Sequence, residues 1–379
     1  MTKQIDVSAI TTPWHRRLKD GINIYRSPNG LRCGTARKSF AISQQGSVRA
    51  LEMMSANWDE DLDIASECGL SPQALAELIA HLEENEFLET TPSVLAITTR
   101  FQSVAKKKRR DVLPDAAFSQ LAHRVVPELS YARLLPGVAD SGTATINARQ
   151  NVRIEIYGSD RIAILLYGIL LASGATHTHF AMGTRSHDPL LIDTDLTAGF
   201  IRATDIGASF KSRIEDLAKE LSLFPIESHE SAQELDPHTP ERFIKIHVGK
   251  MDPLLLAQWM ASGNEHIVIS PSDGGHLLVG PLVTPAKTPC TRCRELSISD
   301  IQGEQEKISL NPSTGLRDEP PVFVAHLLAG LIAGLILQSI DATSQSDLDG
   351  AYIALDYLHP GDLQRIALAR NPKCGCAWL

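Results

Sequence analysis

No apolar run in the N-terminal stretch MTKQIDVSAITTPWHRR is long enough to act as a secretory signal. The expected setting is therefore the cytoplasm, where thiols stay reduced. A surplus of positive charge is missing as well: 36 lysines and arginines stand against 45 aspartates and glutamates, a net charge of −9. That balance argues against a general nucleic-acid binder. Cysteine is scarce, at six in 379 residues, and four of the six fall in two close pairs. The rest is ordinary for a globular chain that buries a sizeable core, with 43% hydrophobic and 21% charged residues. The length predicts two or three domains.

Cys290 and Cys293 lie in T-P-C-T-R-C-R, and Cys374 and Cys376 in N-P-K-C-G-C. Each pair can hold two corners of a tetrahedral metal, so together they form one structural zinc site. A catalytic role is excluded, because four thiolates leave no position open for water or substrate. A thioredoxin-like redox pair at Cys290 and Cys293 is the alternative. It needs a helix starting at the first cysteine, which Pro289 could precede, and it leaves the second pair unexplained. Cys33 and Cys68 stand alone and read as small buried hydrophobes.

One segment, Val322 to Ile340, is long and nearly uncharged, with Gly330 and Gly334 in a G-x-x-x-G pattern. Its polar residues His326 and Gln338, and the lack of a basic flank, argue against a membrane span. It reads as a buried core or subunit-interface helix.

The N-terminal third reads as a small winged helix. INIYRS and LRCGTA are strands joined at Pro28-Asn29-Gly30, a strong hairpin turn, and SFAIS follows. Val48, Leu51 and Met54 then suit one helix face, and Asp61 to Cys68 a second short helix stopped by Gly69. A third helix starts at Ser71 as N-cap with Pro72 in its first position. Leu75, Leu78, Ile79 and Leu82 form its apolar stripe, and Phe87 and Leu88 start a closing strand. The third helix carries Glu77, Glu83, Glu84 and Glu86 without lysine or arginine. That excludes it as a DNA-recognition helix, which needs cations for phosphates and base edges. The remaining uses are peptide capture, by strand addition to the hairpin edge and apolar contact with the third helix, or a structural cap. The basic run Lys106 to Arg110 beyond it reads as a solvated linker, or as a contact for an acidic tail or leader.

The C-terminal two thirds read as a doubly wound α/β domain. Asn151 to Tyr157 is a strand, Arg161 to Ser173 an apolar helix, and His177 to Met182 the next strand. Phe243 to Val248, Ile267 to Ser270 and Leu277 to Gly280 supply further strands, with a helix over Met251 to Ser262. The turn after the first strand, Gly158-Ser159-Asp160-Arg161-Ile162-Ala163, keeps one glycine of the G-x-G-x-x-G nucleotide loop. Asp160 adds negative charge where a phosphate would sit.

The stretch V-G-P-L-V-T-P-A-K-T-P-C-T-R-C-R-E-L, Val279 to Leu296, resembles a signature of ThiF-like, ubiquitin-activating-enzyme-like proteins of thiazole/oxazole peptide biosynthesis. That signature reads V-G-P-L-V-x-P-G-x-T-x-C-L-x-C, and the family ends in H-P-x-C-x-C, similar to Asn371 to Cys376. The resemblance implies one structural zinc on the two cysteine pairs and a winged-helix clamp for precursor leader peptides ahead of the ThiF-like domain. The expected organisation is a tail over 1–20, the clamp over 21–95, a basic linker and connecting helix over 96–149, and the zinc-binding ThiF-like domain over 150–379.

Active relatives also carry a full glycine loop, an acidic ribose-binding residue, N-L-x-R and D-I-G-x-x-K. Here Asp205 to Lys211 resembles the last with one extra residue, Asp188 is the nearest candidate for the ribose acid, and N-L-x-R is reduced to Asp195-Leu196-Thr197-Ala198. The missing arginine removes a charge that would offset developing phosphate charge. Gly158, Asp188, Asp205 and Lys211 thus mark a vestigial nucleotide site, and ATP is not expected as a cofactor. The resemblance implies a leader-binding partner of a separate YcaO-type cyclodehydratase that forms azolines, paired as a homodimer. The alternatives are a ThiF-like ATP-dependent adenylyltransferase and a scaffold or regulator outside such a pathway.

Overall fold

A computed structural model of the chain describes residues 16–28, 30–42, 45–55, 64–90, 115–181, 188–224, 242–271, 273–303, 320–341 and 346–378. The basic run at 106–110 and the turn residue Asn29 lie outside them. The chain divides into two compact units, Met1–Asn147 and Ala148–Leu379.

In the first unit, β2 (Asn23–Ser27), β3 (Gly30–Gly34) and β4 (Ser39–Ile42) form an antiparallel sheet in that order. Ser27 pairs with Gly30, so the connection between β2 and β3 is tight. Helices α1 (Gln45–Ser55), α2 (Ile64–Cys68) and α3 (Pro72–Glu84) follow. The Ser71 side chain accepts the Ala74 N–H at 3.1 Å, satisfying one orphan donor of the first turn of α3. Leu51, Met54, Leu78, Leu82 and Phe87 bury a common core with the lone thiol Cys33. The strand β5 (Leu88–Thr90) pairs with β1 (Arg16–Leu18), which the sequence did not announce because three residues, two of them arginine, carry no apolar period. Glu89 on β5 is fully buried and bonds the Arg17 guanidinium at 2.8 Å. Helix α4 (Asp115–Ala132) and the short α5 (Thr143–Arg149) complete the elements before the second unit's sheet.

The second unit holds a seven-stranded sheet in the order β12-β11-β10-β9-β8-β6-β7. Its parallel part is β6 (Val152–Tyr157), β7 (Thr178–Phe180), β8 (Arg242–Val248) and β9 (Glu265–Ile269). Ile154, Ile156, Ile244, Ile246, Ile267 and Ile269 face one side and are buried. They share a core with α6 (Arg161–Ala172) and α10 (Val322–Asp341). The alternate residues Tyr157, His247 and His266 face the other side, where Trp259 of α8 (Pro253–Ala261) lies 4.8 to 6.4 Å from their rings. The expected strand at Leu277 to Gly280 is longer, β10 (His276–Val283), and it runs antiparallel to β9. It starts an antiparallel edge completed by β11 (Ala351–Asp356) and β12 (Gln364–Ala367). The architecture is therefore mixed α/β.

Helix α10 is the helix among the described residues that is long and apolar enough to cross a membrane. Val324, Leu328, Ile332 and Ile336 are buried in the protein core instead. His326 and Gln338 are also used: the His326 imidazole lies 3.1 Å from the Ala198 carbonyl, and the Gln338 amide donates to Asp347 at 3.2 Å. Gly330 and Gly334 are exposed, and a Cβ at either would meet nothing within 4 Å.

Candidate functional site

The cysteine pairs come together. Cys290 caps α9 (Thr291–Gln302), and Cys293 sits one turn in on the same side. Cys374 immediately precedes the short helical turn Gly375–Trp378, and Cys376 lies within it. The four sulfurs lie within 4.8 Å of one another, all buried. Cys290 is 3.5 Å from Cys374 and 3.9 Å from Cys293, and Cys293 is 3.4 Å from Cys376. Disulfides need about 2.05 Å, so these are four separate thiols. A metal–sulfur bond of about 2.3 Å sets tetrahedral S···S edges of roughly 3.8 Å, and the observed spacing fits such an ion.

Second contacts hold the ligand-bearing turn. The Asn371 N–H points at the Cys293 sulfur at 3.4 Å, and its side chain accepts the Lys373 N–H at 2.9 Å and donates to Asp300 at 2.9 Å. Val283, Met260 and Leu296 pack around the sulfurs. Burial pushes the Cys376 thiol up to about 11 and raises Cys290 further. Burial also works against the Cys293 thiolate, yet hydrogen bonds from Asn371 and its cysteine neighbours leave its pKa lowered. Cys290 and Cys376 thus favour their thiol forms until a cation compensates the charge, which suits a metal centre rather than a free reactive thiolate. Asn371 and Asp300 were not singled out in the sequence, although Asn371 lies inside the quoted N-P-K-C-G-C.

The expected nucleotide residues have local partners. Gly158 ends β6 at φ +133°, and a Cβ there would sit 2.9 Å from the Val248 carbonyl. Close approach to β8 explains this glycine without a phosphate. Asp160 is the N-cap of α6 and accepts the Ala163 N–H at 2.8 Å, so the helix N-terminus already holds an anion. Asp188 bonds the Ser209 hydroxyl and accepts the Lys211 N–H at 3.0 Å, at the start of α7 (Phe210–Leu221). These bonds hold its carboxyl below the usual value. Asp205 pairs with Arg213 at 3.2 Å and accepts the Arg202 N–H at 2.8 Å. The structure thus joins Asp188 to the Lys211 backbone. Among the described residues no hydrogen bond or ion pair links Gly158 to the other three. Arg213, which sequence reasoning missed, also donates to the Phe200 carbonyl at 3.1 Å and to Glu220 at 3.1 Å.

The seven-stranded mixed sheet with its flanking helices is similar to the ThiF/MccB-like fold. Particular solved proteins share it along nearly the whole chain. E. coli MccB solved with ATP has a TM-score of 0.63 at 15% identity, covering 95% of this chain and 99% of its own. The microcin C7 biosynthetic enzyme MccB in complex with N-formylated MccA has a TM-score of 0.61 at 13% identity, covering 96% and 99%. PaaA has a TM-score of 0.59 at 12% identity, covering 93% and 100%. No family model and no curated protein matches the chain.

Proposed function

We propose that the chain binds the leader of a ribosomally synthesised precursor peptide through a winged-helix clamp at 21–95. It presents that peptide to a YcaO-type cyclodehydratase for azoline formation and performs no ATP chemistry of its own. The observation that carries this reading is the fold shared over 96% of the chain with MccB, a protein solved with MccA. The three-stranded sheet offers an edge, and Leu75 and Ile79 of α3 stay partly exposed, which suits an extended peptide. Capping of α6 by Asp160 supports the absence of ATP chemistry. Zinc on Cys290, Cys293, Cys374 and Cys376 would be structural and would secure the terminal turn to α9. The exposed Gly330 and Gly334 on α10 suit a homodimer contact, where two helix backbones approach closely. The working compartment is the cytoplasm.

The test is a calorimetric titration with leader peptides encoded beside the gene, together with co-purification of a YcaO partner. Heat with one leader and a co-purifying cyclodehydratase support the reading. No heat with any leader and no partner sink it.

A second reading, ATP-dependent adenylyltransferase, is favoured by the MccB structure with ATP and by the Asp205 to Lys211 segment. Robust pyrophosphate exchange, abolished by Lys211→Ala, would establish it. A third keeps the fold as a scaffold or regulator outside such a pathway. Neighbouring genes without a YcaO-type enzyme or a short precursor would favour it.

A further inference from the structure

A cavity of about 330 Å³ lies wholly within the first unit, between the residue after β1, the end of α3, β5 and the loop at 137–139. Leu88, Val138 and Ala139 give it an apolar wall, and Lys19, Glu83 and Glu86 line the rest. At roughly 30 Å³ per water it has room for a whole amino-acid residue. His81 of α3 stacks on Phe40 of β4 at 5.4 Å, and Glu83 lies about 200° round the helix from it. The cavity therefore sits on the flank of α3 away from the β4 edge.

Lys19 is 7% exposed. Its backbone N–H donates to the Phe87 carbonyl at 2.8 Å, but its ammonium makes no hydrogen bond or ion pair among the described residues. Glu89 beside it is already neutralised: Arg17 bonds one oxygen at 2.8 Å, and Arg133 lies 3.6 Å from the other, which is sealed from solvent. The Lys19 nitrogen is not sealed in this way, and the residue lines the cavity. Burial holds the ammonium below the ordinary lysine value, although Glu86, Glu89 and Asp140 pull the other way. A buried cation without a partner is costly.

Glu86 faces the same space from a left-handed backbone at φ +59°, where helices commonly end in glycine. Its carboxylate accepts the Gly137 N–H at 3.1 Å and has no other partner among the described residues. A strained residue kept at a cavity wall points to use of its side chain.

We infer that this cavity binds a neutral carboxamide on a short aliphatic stem, as in the side chain of glutamine. The carbonyl oxygen accepts from Lys19, the amide N–H donates to Glu86, and the stem lies on Leu88 and Val138. An anion would meet Glu83 and Glu86, and a cation would meet Lys19. A carboxamide offers acceptor and donor side by side without net charge, and it bridges two charges that stand too far apart to pair directly. The site does not rest on the leader-binding reading.

The test uses the full chain labelled with ¹³C at its leucine and valine methyl groups. It is titrated with acetyl-Gly-Gln-Gly-amide, with the matching Glu and Met peptides, and with free glutamine. The Gln peptide should shift the Leu88 and Val138 signals, and the Glu and Met peptides should bind about tenfold more weakly, as loss of one charge-assisted hydrogen bond implies. Binding of free glutamine in preference to the Gln peptide would support the same site with the amino acid as its source. Lys19→Met should fold, because it removes an unpaired buried charge, and should lose the shifts. Ala139→Trp, at an exposed rim position, should block the cavity. A Met or Glu peptide that binds as tightly as the Gln peptide would overturn the inference. So would shifts confined to other methyl groups, or no shift with any of the four ligands. If Lys19→Met fails to fold, unchanged binding in Ala139→Trp still sinks it.

Discussion

Arg149 and Asp341 stand 192 positions apart and meet in a two-pronged ion pair with both side chains fully buried. Nε reaches Oδ1 at 2.9 Å and Nη2 reaches Oδ2 at 2.7 Å, while Nη1 donates to the Ser173 carbonyl at 2.6 Å. One guanidinium therefore ties the ends of α5, α6 and α10 together. Removing one partner strands a buried charge, so Arg149→Met or Asp341→Leu should each cost about 3–5 kcal/mol in denaturant unfolding. The double substitution should recover much of that loss, because no charge is then left unpaired. A double variant no more stable than the worse single variant would show that geometry, not charge pairing, dominates.

Metal analysis of the purified chain should give one zinc per molecule. Cys290→Ser and Cys374→Ser should each lose the metal and lower the Tm by roughly 10 °C, because the binding energy of such a site is folding energy. Asn371→Ala should weaken zinc about 10- to 100-fold without removing a ligand, since it loosens the turn that aims Cys374 and supports Cys293. Zinc retained at full affinity in either serine variant would rule out the four-sulfur centre.

Much of this was legible in the sequence. Asn-Gly between alternating strands gave the β2–β3 hairpin, and Ser-Pro before an apolar stripe gave α3 with its cap. The cysteine spacing foretold a cluster that the structure brings within 4.8 Å. These signals are local, and each has one dominant physical cause. The antiparallel edge was harder to read, because β12 is short and largely exposed, so its pattern lacks an apolar face. The acidic residues were the least legible. Asp188 reads as a candidate ribose acid, and only the fold reveals that it serves the N-terminus of α7. Arg149 and Asp341 gave no signal, since a pair 192 residues apart has no sequence period.

Burial lowers the pKa of His247 and of His266 below the ordinary histidine value of 6.5. Both lie against Trp259. The folded state then binds fewer protons than the unfolded state just below that value, so stability rises with pH there. The contribution is fully present above pH 6.5 and is lost as pH falls toward the folded pKa values. Urea midpoints should therefore fall between pH 7.5 and pH 5.5, with a shallower fall in His266→Phe. An unchanged pH slope in that variant would remove His266 from the account.

Ala286 holds a left-handed conformation at φ +65°, where a side chain is disfavoured. It stands where the resembling signature has glycine, in the loop between β10 and Cys290. Its carbonyl accepts a bond from Arg370, four residues before Cys374, so the strained residue also helps to seat the terminal turn. Glycine would relieve the clash at the cost of extra freedom in the unfolded chain, and the first effect is the larger where φ is positive. Ala286→Gly should stabilise the second unit by about 0.5–1 kcal/mol in denaturant unfolding, with zinc content unchanged. A loss of stability would show that the loop relaxes this residue to negative φ in solution.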